Sequence, residues 1–266
     1  MISLLRKIRK KLLNEGNFQR YLIYAVGEIL LVVIGILIAL QINTWKEEKG
    51  NRKLEARFFQ EISIDLQKDS IHLEFLVKYY KNRVDQIEWL LTAVRNPELP
   101  VDDTETGRHL EPLYYGTPPI HFATTYESAK SSGHFNLFQD NEKIKELTQY
   151  YTEINLLDDI LTATQGIIYS QLEPIMSDYS LGYMSETSGR NVVAAVDVSE
   201  LYDFVDKIKD NRQKGVSVTR VFSNPKFESY LIGDMGRAFH ALAIIKDRKA
   251  KLEALMMKVV DINSAR

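Results

Sequence analysis

The sequence predicts an all-α chain: an N-terminal amphipathic segment and a transmembrane helix, followed by an antiparallel helical bundle with two long loops. Three observations predict it. From Tyr21 to Leu40, nineteen of twenty residues are apolar, aromatic or Gly. Three later segments repeat their apolar residues at spacings of three, four and seven, the period of helices that bury one face. Two stretches, 97–123 and 177–223, lack that period.

The apolar run of twenty residues matches the roughly 20 needed to cross a hydrocarbon core about 30 Å thick. A cleaved secretory signal is the alternative. The run is long for one, and no small-x-small site follows, since Ala39 is succeeded two places on by Gln41. The chain has no cysteine, so it has no disulfide, no thiolate metal ligand and no lipid-modified cysteine anchor. Tyr21, Tyr24 and Trp45 are the aromatic anchors expected at the two interfaces.

Residues 1–20 hold Arg6, Lys7, Arg9, Lys10, Lys11 and Arg20 against Glu15 alone, a net of +5. Ile2, Leu5, Ile8 and Leu12 share one helical stripe there, the pattern of a helix lying among lipid headgroups; a solvated basic tail is the alternative. The five basic residues from Arg6 to Lys11 would face anionic lipid. By the positive-inside rule this end is expected in the cytoplasm and the remaining chain outside it. Residues 46–266 carry 28 Lys and Arg against 34 Asp and Glu, a net of -6. That balance argues against nucleic-acid binding, which needs clustered basic side chains.

Glu28 is the one charge between residues 21 and 45. At 100° per residue it lies within about 20° of Gly35 and Ala39. Gly35-x-x-x-Ala39 is a small-xxx-small pair that allows another helix to approach closely. Glu28 therefore reads as part of a packing face between helices, with either a second copy of the chain or another membrane protein as partner. Two alternatives stay open: a shallow placement near the inner interface, about 6 Å below Tyr24, and a proton- or ion-conducting role.

The segments LLRKIRKKLL and VGEILLVVIGILIALQINTW, with YESAKSSG at 126–133, resemble a family of bacterial single-span membrane proteins known only as a domain of unknown function. The resemblance covers residues 1–45 closely and implies a Gram-negative inner-membrane protein with its main domain in the periplasm. It implies no catalytic or binding residue.

Three divisions follow: 1–20, the cytoplasmic basic segment; 21–45, the transmembrane helix; and 46–266, the extracytoplasmic helical domain. In the last, the first helix is expected from Trp45 to Asn96, with a possible bend near Asn43 or Gly50, and stops at Pro97. Its stripe is Phe58, Ile62, Leu66, Leu73, Leu76, Tyr80, Val84, Ile87, Leu91 and Val94. The second helix runs from Asn141 to Glu173 with Ile144, Leu147, Tyr151, Ile154, Leu157, Leu161, Ile168 and Leu172. The third starts with Asn224 as N-cap and Pro225 in the first turn, and carries Phe227, Leu231, Ala238, Leu242, Ile245, Leu252, Met256 and Val259. Thr124 to Glu127 reads as a capping box opening a short helix that ends before Gly133. Ser199 is a candidate cap for another, to Asp210. VSVTRVF (216–222) alternates as a strand, with VVAAV (192–196) as its possible partner.

No catalytic motif occurs: neither an HExxH, a Gly-rich phosphate loop nor a nucleophile elbow. His109, His121 and His134 lack metal-ligand spacing, His72 and His240 are isolated on helices, and the pairs Asp102-Asp103 and Asp158-Asp159 read as solvated acids. No cofactor is implied. Tyr114, Tyr115, His121 and Phe122 are the candidate partner or ligand surface, although Tyr114, Tyr115, Phe122 and Tyr126 read more readily as core aromatics sealing a bundle end.

Overall fold

The computed structural model describes residues 18–179 and 217–264. Every regular element among them is helical. They fall into two compact units, one of residues 1–58 with 136–139, the other of 59–135 with 140–266.

Helix α1 runs unbroken from Phe18 to Arg95, so neither Asn43 nor Gly50 ends it. From Ile29 to Leu40 it is apolar on all sides, and the large apolar side chains from Leu22 to Trp45 are between 46% and 73% exposed. Among the described residues this is the one helix long and apolar enough to cross a membrane. The first unit closes on itself where Phe58 meets Phe138 with ring centroids 5.1 Å apart, and where the Gln139 amide donates to Glu55 Oε1 at 3.0 Å.

In the second unit α1 turns amphipathic. Ile62, Leu66, Leu73, Leu76, Tyr80 and Ile87 are buried as the stripe requires, but Arg83, Leu90 and Ala93 take the places expected for Val84, Leu91 and Val94. The buried line advances strictly by three and four residues, and the expected stripe left it by one residue. Asn96 and Pro97 end the helix, with Asn96 Nδ2 donating to the Thr92 carbonyl at 2.7 Å.

The stretch 97–123, expected as loop, contains helix α2 (Asp103–Leu110) and a 3-10 turn (Glu111–Tyr114). The cause is a cap: Asp102 accepts from the Glu105 amide at 2.7 Å. Helix α3 (Thr124–Ser131) forms where expected, but the Thr side chains cap nothing. Asp65 of α1 instead accepts the Thr125 amide at 3.1 Å. Gly133 follows α3 with φ 73°, a left-handed conformation that favours glycine at a helix stop.

The expected single helix 141–173 is divided into α4 (Asn141–Thr152) and α5 (Ile154–Ile167), a π turn (Ile168–Leu172) and α6 (Glu173–Met176). Beside the break at Glu153, the Tyr150 carbonyl accepts Arg248 Nη1 at 3.1 Å. The π turn precedes Pro174, which has no N–H to give, and the Glu173 amide reaches back to the Ile168 carbonyl.

Val218–Ser223 is a 3-10 helix, not a strand. Val218 and Val221 are the buried residues, a period of three, and a lone strand would leave its backbone unpaired. The Ser199 cap and the VVAAV partner lie outside the described residues. Helix α7 spans Pro225–Ser264, capped by Asn224 Oδ1, which accepts the Lys226 amide at 3.0 Å. It buries Phe227, Leu231, Ala238, Leu242, Ile245, Leu252 and Val259, with Leu255 in place of Met256. The apolar core around Ile87, Leu110, Leu113, Leu172, Val221 and Phe227 draws on α1, α2, the π turn and the 3-10 turns Glu111–Tyr114 and Val218–Ser223 as well as α7.

Candidate functional site

Two ion clusters lie inside the second unit. Arg83 of α1 and Asp234 of α7 are each 1% exposed. Arg83 Nε donates to Asp234 Oδ2 at 3.0 Å, and Nη2 lies 2.8 Å from the same oxygen. The guanidinium also donates to the carbonyls of Leu113 (3.3 Å), Tyr115 (3.4 Å) and Pro112 (3.5 Å), which ties the turn after α2 to α1. Tyr79 donates to the Tyr115 carbonyl, and the Tyr230 hydroxyl lies 3.4 Å from both Asp234 Oδ2 and Arg83 Nη2. Burial works against the charged Arg83, but Asp234, Tyr79 and Tyr230 together hold its pKa above the usual value. Burial pushes the Tyr80 hydroxyl up to about 12. The second cluster joins Asp69 of α1 to Arg248 of α7 at 3.1 Å, with Tyr150 of α4 donating to the same carboxylate oxygen. Each cluster neutralises its own charge, and neither offers an open general acid or base.

The aromatic candidates are spread over several contacts. Tyr114 packs against the apolar core. Tyr115 contributes its carbonyl to Arg83. Phe122 meets His72 edge-on at 6.1 Å, and His72 stacks on Phe75 at 6.2 Å. His121 Nε2 is 3.1 Å from Asp158 Oδ2. Tyr126 stacks on Tyr151 at 4.5 Å in the interior. Burial lowers the pKa of His72 and of His109, and His109 is stacked on Trp89 at 3.8 Å. Three of the acids read as solvated have partners: Asp158 lies beside His121, Asp102 caps α2, and Asp103 accepts from the Ser217 hydroxyl and the Thr219 amide. Among the described residues no three His, Asp or Glu are placed to hold a metal ion.

Of the helix-packing candidates, Glu28 is half-buried, while Gly35 and Ala39 are exposed. A Cβ on Gly35 would meet nothing within 4 Å, so that side of the helix is open. Trp45 is exposed under the Lys49 ammonium, 5.2 Å from the ring centre. Tyr21 and Tyr24 lie within α1, and Arg6 to Lys11 fall outside the described residues.

One cleft of about 600 Å³ opens between the π turn and the start of α7, lined by Ser170, Gln171, Asp178, Lys226, Ser229 and Tyr230 among others. The first amides of α7 are already taken, Lys226 by the Asn224 side chain and Phe227 by the Asn224 carbonyl.

Residues 28–106 match the model of a family of unknown function, DUF6090. The match accords with an uncharacterised family. It covers just under a third of the 266 residues, and takes in Glu28, Gly35, Ala39, Asp69 and Arg83. It overlaps the resemblance seen in the N-terminal segment only at residues 28–45. No curated protein and no solved structure matches the chain.

Proposed function

We propose that the chain is a membrane-anchored interaction or scaffold protein. Residues 21–45 cross the bacterial inner membrane, the N-terminus stays in the cytoplasm, and residues 46–266 form a periplasmic antiparallel helical bundle. The observation that carries the reading is the complete exposure of the apolar part of α1: no side chain from Ile29 to Ile42 is buried, and water is the wrong solvent for such a surface. Support for the antiparallel arrangement comes from the order of the ion pairs, since Asp69 meets Arg248, Arg83 meets Asp234 and Arg95 meets Glu228. Numbers rise along α1 as they fall along α7.

The span pairs with its own copy, or with another membrane helix, through Glu28, Gly35 and Ala39. Crosslinking in native membranes tests this. Gly35→Leu should lower the yield of crosslinked dimer severalfold, whereas Glu28→Gln should leave membrane insertion intact. Equal yields for wild type and Gly35→Leu would remove the packing face, and a strict monomer that copurifies with nothing would remove the scaffold reading. The cleft beside Lys226 favours a second reading, a periplasmic ligand-binding bundle that signals through a membrane partner. Its test is thermal stabilisation of the full-length protein by periplasmic metabolites.

A further inference from the structure

Four ion pairs join α1 to α7: Asp69–Arg248, Glu74–Lys249, Arg83–Asp234 and Arg95–Glu228. Along α1 the two acids come first and the two bases follow; along α7 the order is again acids, then bases. The spacings also match. Asp69 and Arg83 are 14 residues apart, as are Asp234 and Arg248; Glu74 and Arg95 are 21 apart, as are Glu228 and Lys249. These are two and three heptads, which keep each pair on the seam between packed helices.

We infer that this shared charge order is a code that commits α7 to one direction and one register on α1. The inference rests on the antiparallel bundle proposed above. A parallel docking that brought Asp69 beside Asp234 would also bring Arg83 beside Arg248, so both core layers would oppose like charges. The outer pairs would be lost as well, since Glu74 would lie opposite Phe239, eleven residues past Glu228. A slip of two heptads in the antiparallel arrangement places Arg83 against Arg248, or Asp69 against Asp234. A slip of one heptad faces the buried ions with Leu255, Ala241 or Phe227 and leaves them unpaired inside the core.

Chain connectivity does not make this choice. Met176 and Pro225 are 49 residues apart, and a connection of that length reaches about 160 Å when extended, against about 60 Å for the 40-residue α7. Either end of α7 is within reach, so the choice falls to side-chain contacts: the ion pairs, together with the 3-10 turn Val218–Ser223 that packs in the core just before α7. Apolar residues at these four core positions would pack the two helices without specifying the alignment.

The test uses full-length protein in detergent, with spin labels on Lys78→Cys and Lys246→Cys, since the chain has no native cysteine. Both sites are exposed and lie near the Glu74–Lys249 pair. The otherwise unchanged protein should give one short interlabel distance. The exchange Asp69→Arg/Arg248→Asp keeps opposite charges in every native layer but leaves two bases on α1 and two acids on α7 in the core. It should add a second, longer distance, because a two-heptad slip moves the labels about 21 Å along the axis. Adding Arg83→Asp/Asp234→Arg restores a consistent order and should return the single short distance. If the first exchange loses its helical circular dichroism, Glu74→Lys/Lys249→Glu alters the outer layer in solvent and should broaden the distribution. A core exchange that folds with one native distance overturns the code; if it does not fold, an outer exchange indistinguishable from wild type does so. Labels far apart in the otherwise unchanged protein would overturn the antiparallel bundle itself.

Discussion

Arg83 gives the most direct measure of what holds the second unit together. In Arg83→Met the stem is replaced by a side chain of similar length, and the guanidinium is lost. The Asp234 carboxylate, 1% exposed, then loses contacts at 3.0 Å and 2.8 Å. It keeps only the Tyr230 hydroxyl at 3.4 Å and Arg237 at 3.7 Å. Removing one partner of a buried pair costs about 3–5 kcal/mol, because the other charge stays desolvated. The carbonyls of Leu113 and Pro112 lose donors at 3.3 Å and 3.5 Å, long bonds that add little. A total near 4 kcal/mol is about a thousandfold in the folding constant, against a typical stability of about 5–15 kcal/mol. The assay is urea unfolding of the full-length protein in detergent, followed by far-ultraviolet circular dichroism. Arg83→Met/Asp234→Leu removes both charges and should recover at least half of the loss. A single-variant loss under about 1 kcal/mol, or a double variant no better than the single, would refute the argument.

Two further expectations concern pH and capping. Burial lowers the pKa of His72 and of His109, so the unfolded chain binds protons there before the folded one does. Their contribution is intact above the ordinary histidine value of about 6.5 and is lost as the pH falls from there through the lowered folded values. The urea midpoint should therefore drop between pH 7.5 and pH 5.5, and drop less in His72→Gln/His109→Gln; an equal drop in that variant would refute the assignment. Asp140 accepts the Lys143 amide at 3.1 Å as N-cap of α4. Burial raises its pKa, but the bonds from the Lys143 side chain and amide outweigh that and leave it below the usual value. Its contribution is full above the ordinary carboxylate range and fades only as the pH falls through the lowered value. Asp140→Ala should cost about 1 kcal/mol at pH 7, read from the same midpoint.

The helices were legible wherever an apolar period ran unbroken. What the period concealed was the content of its longer gaps. Leu66 to Leu73, Leu231 to Ala238 and Ile245 to Leu252 are steps of seven, and the residue three places into each is Asp69, Asp234 and Arg248. Those three ions occupy stripe positions that a search for apolar residues passes over, while between Tyr80 and Ile87 the stripe took Val84 in place of its neighbour Arg83. Helix α2 was missed for a related reason. The five prolines of 97–123 suggested loop, while Asp102 and Glu105 carried the spacing of a capped helix start. The break at Glu153 was not legible: the apolar period runs through it, and the Arg248 side chain bonded beside it lies almost a hundred residues away in sequence.

Helix α1 carries two solutions to one physical problem. From Ile29 to Ile42 it is apolar around its whole circumference, so no rotation could hide that surface against a single neighbour; a surrounding apolar medium satisfies every face at once. Beyond Phe59 the buried apolar residues narrow to one stripe, and the remaining faces are mostly polar, with Ile64, Ile71 and Phe75 exposed among them, so packed helices on one side are sufficient. An ion is costly in either setting, and each half admits few. In the packed half Asp69 and Arg83 are tolerated because α7 brings the opposite charge within 3.1 Å or less. The same rule governs Glu28 once lipid surrounds the helix: its carboxyl must meet a polar group, a headgroup or a proton. Gly35 and Ala39 leave room on that side for the second helix of the proposed pairing, so replacing Gly35 should disturb that pairing even though Gly35 itself carries no charge.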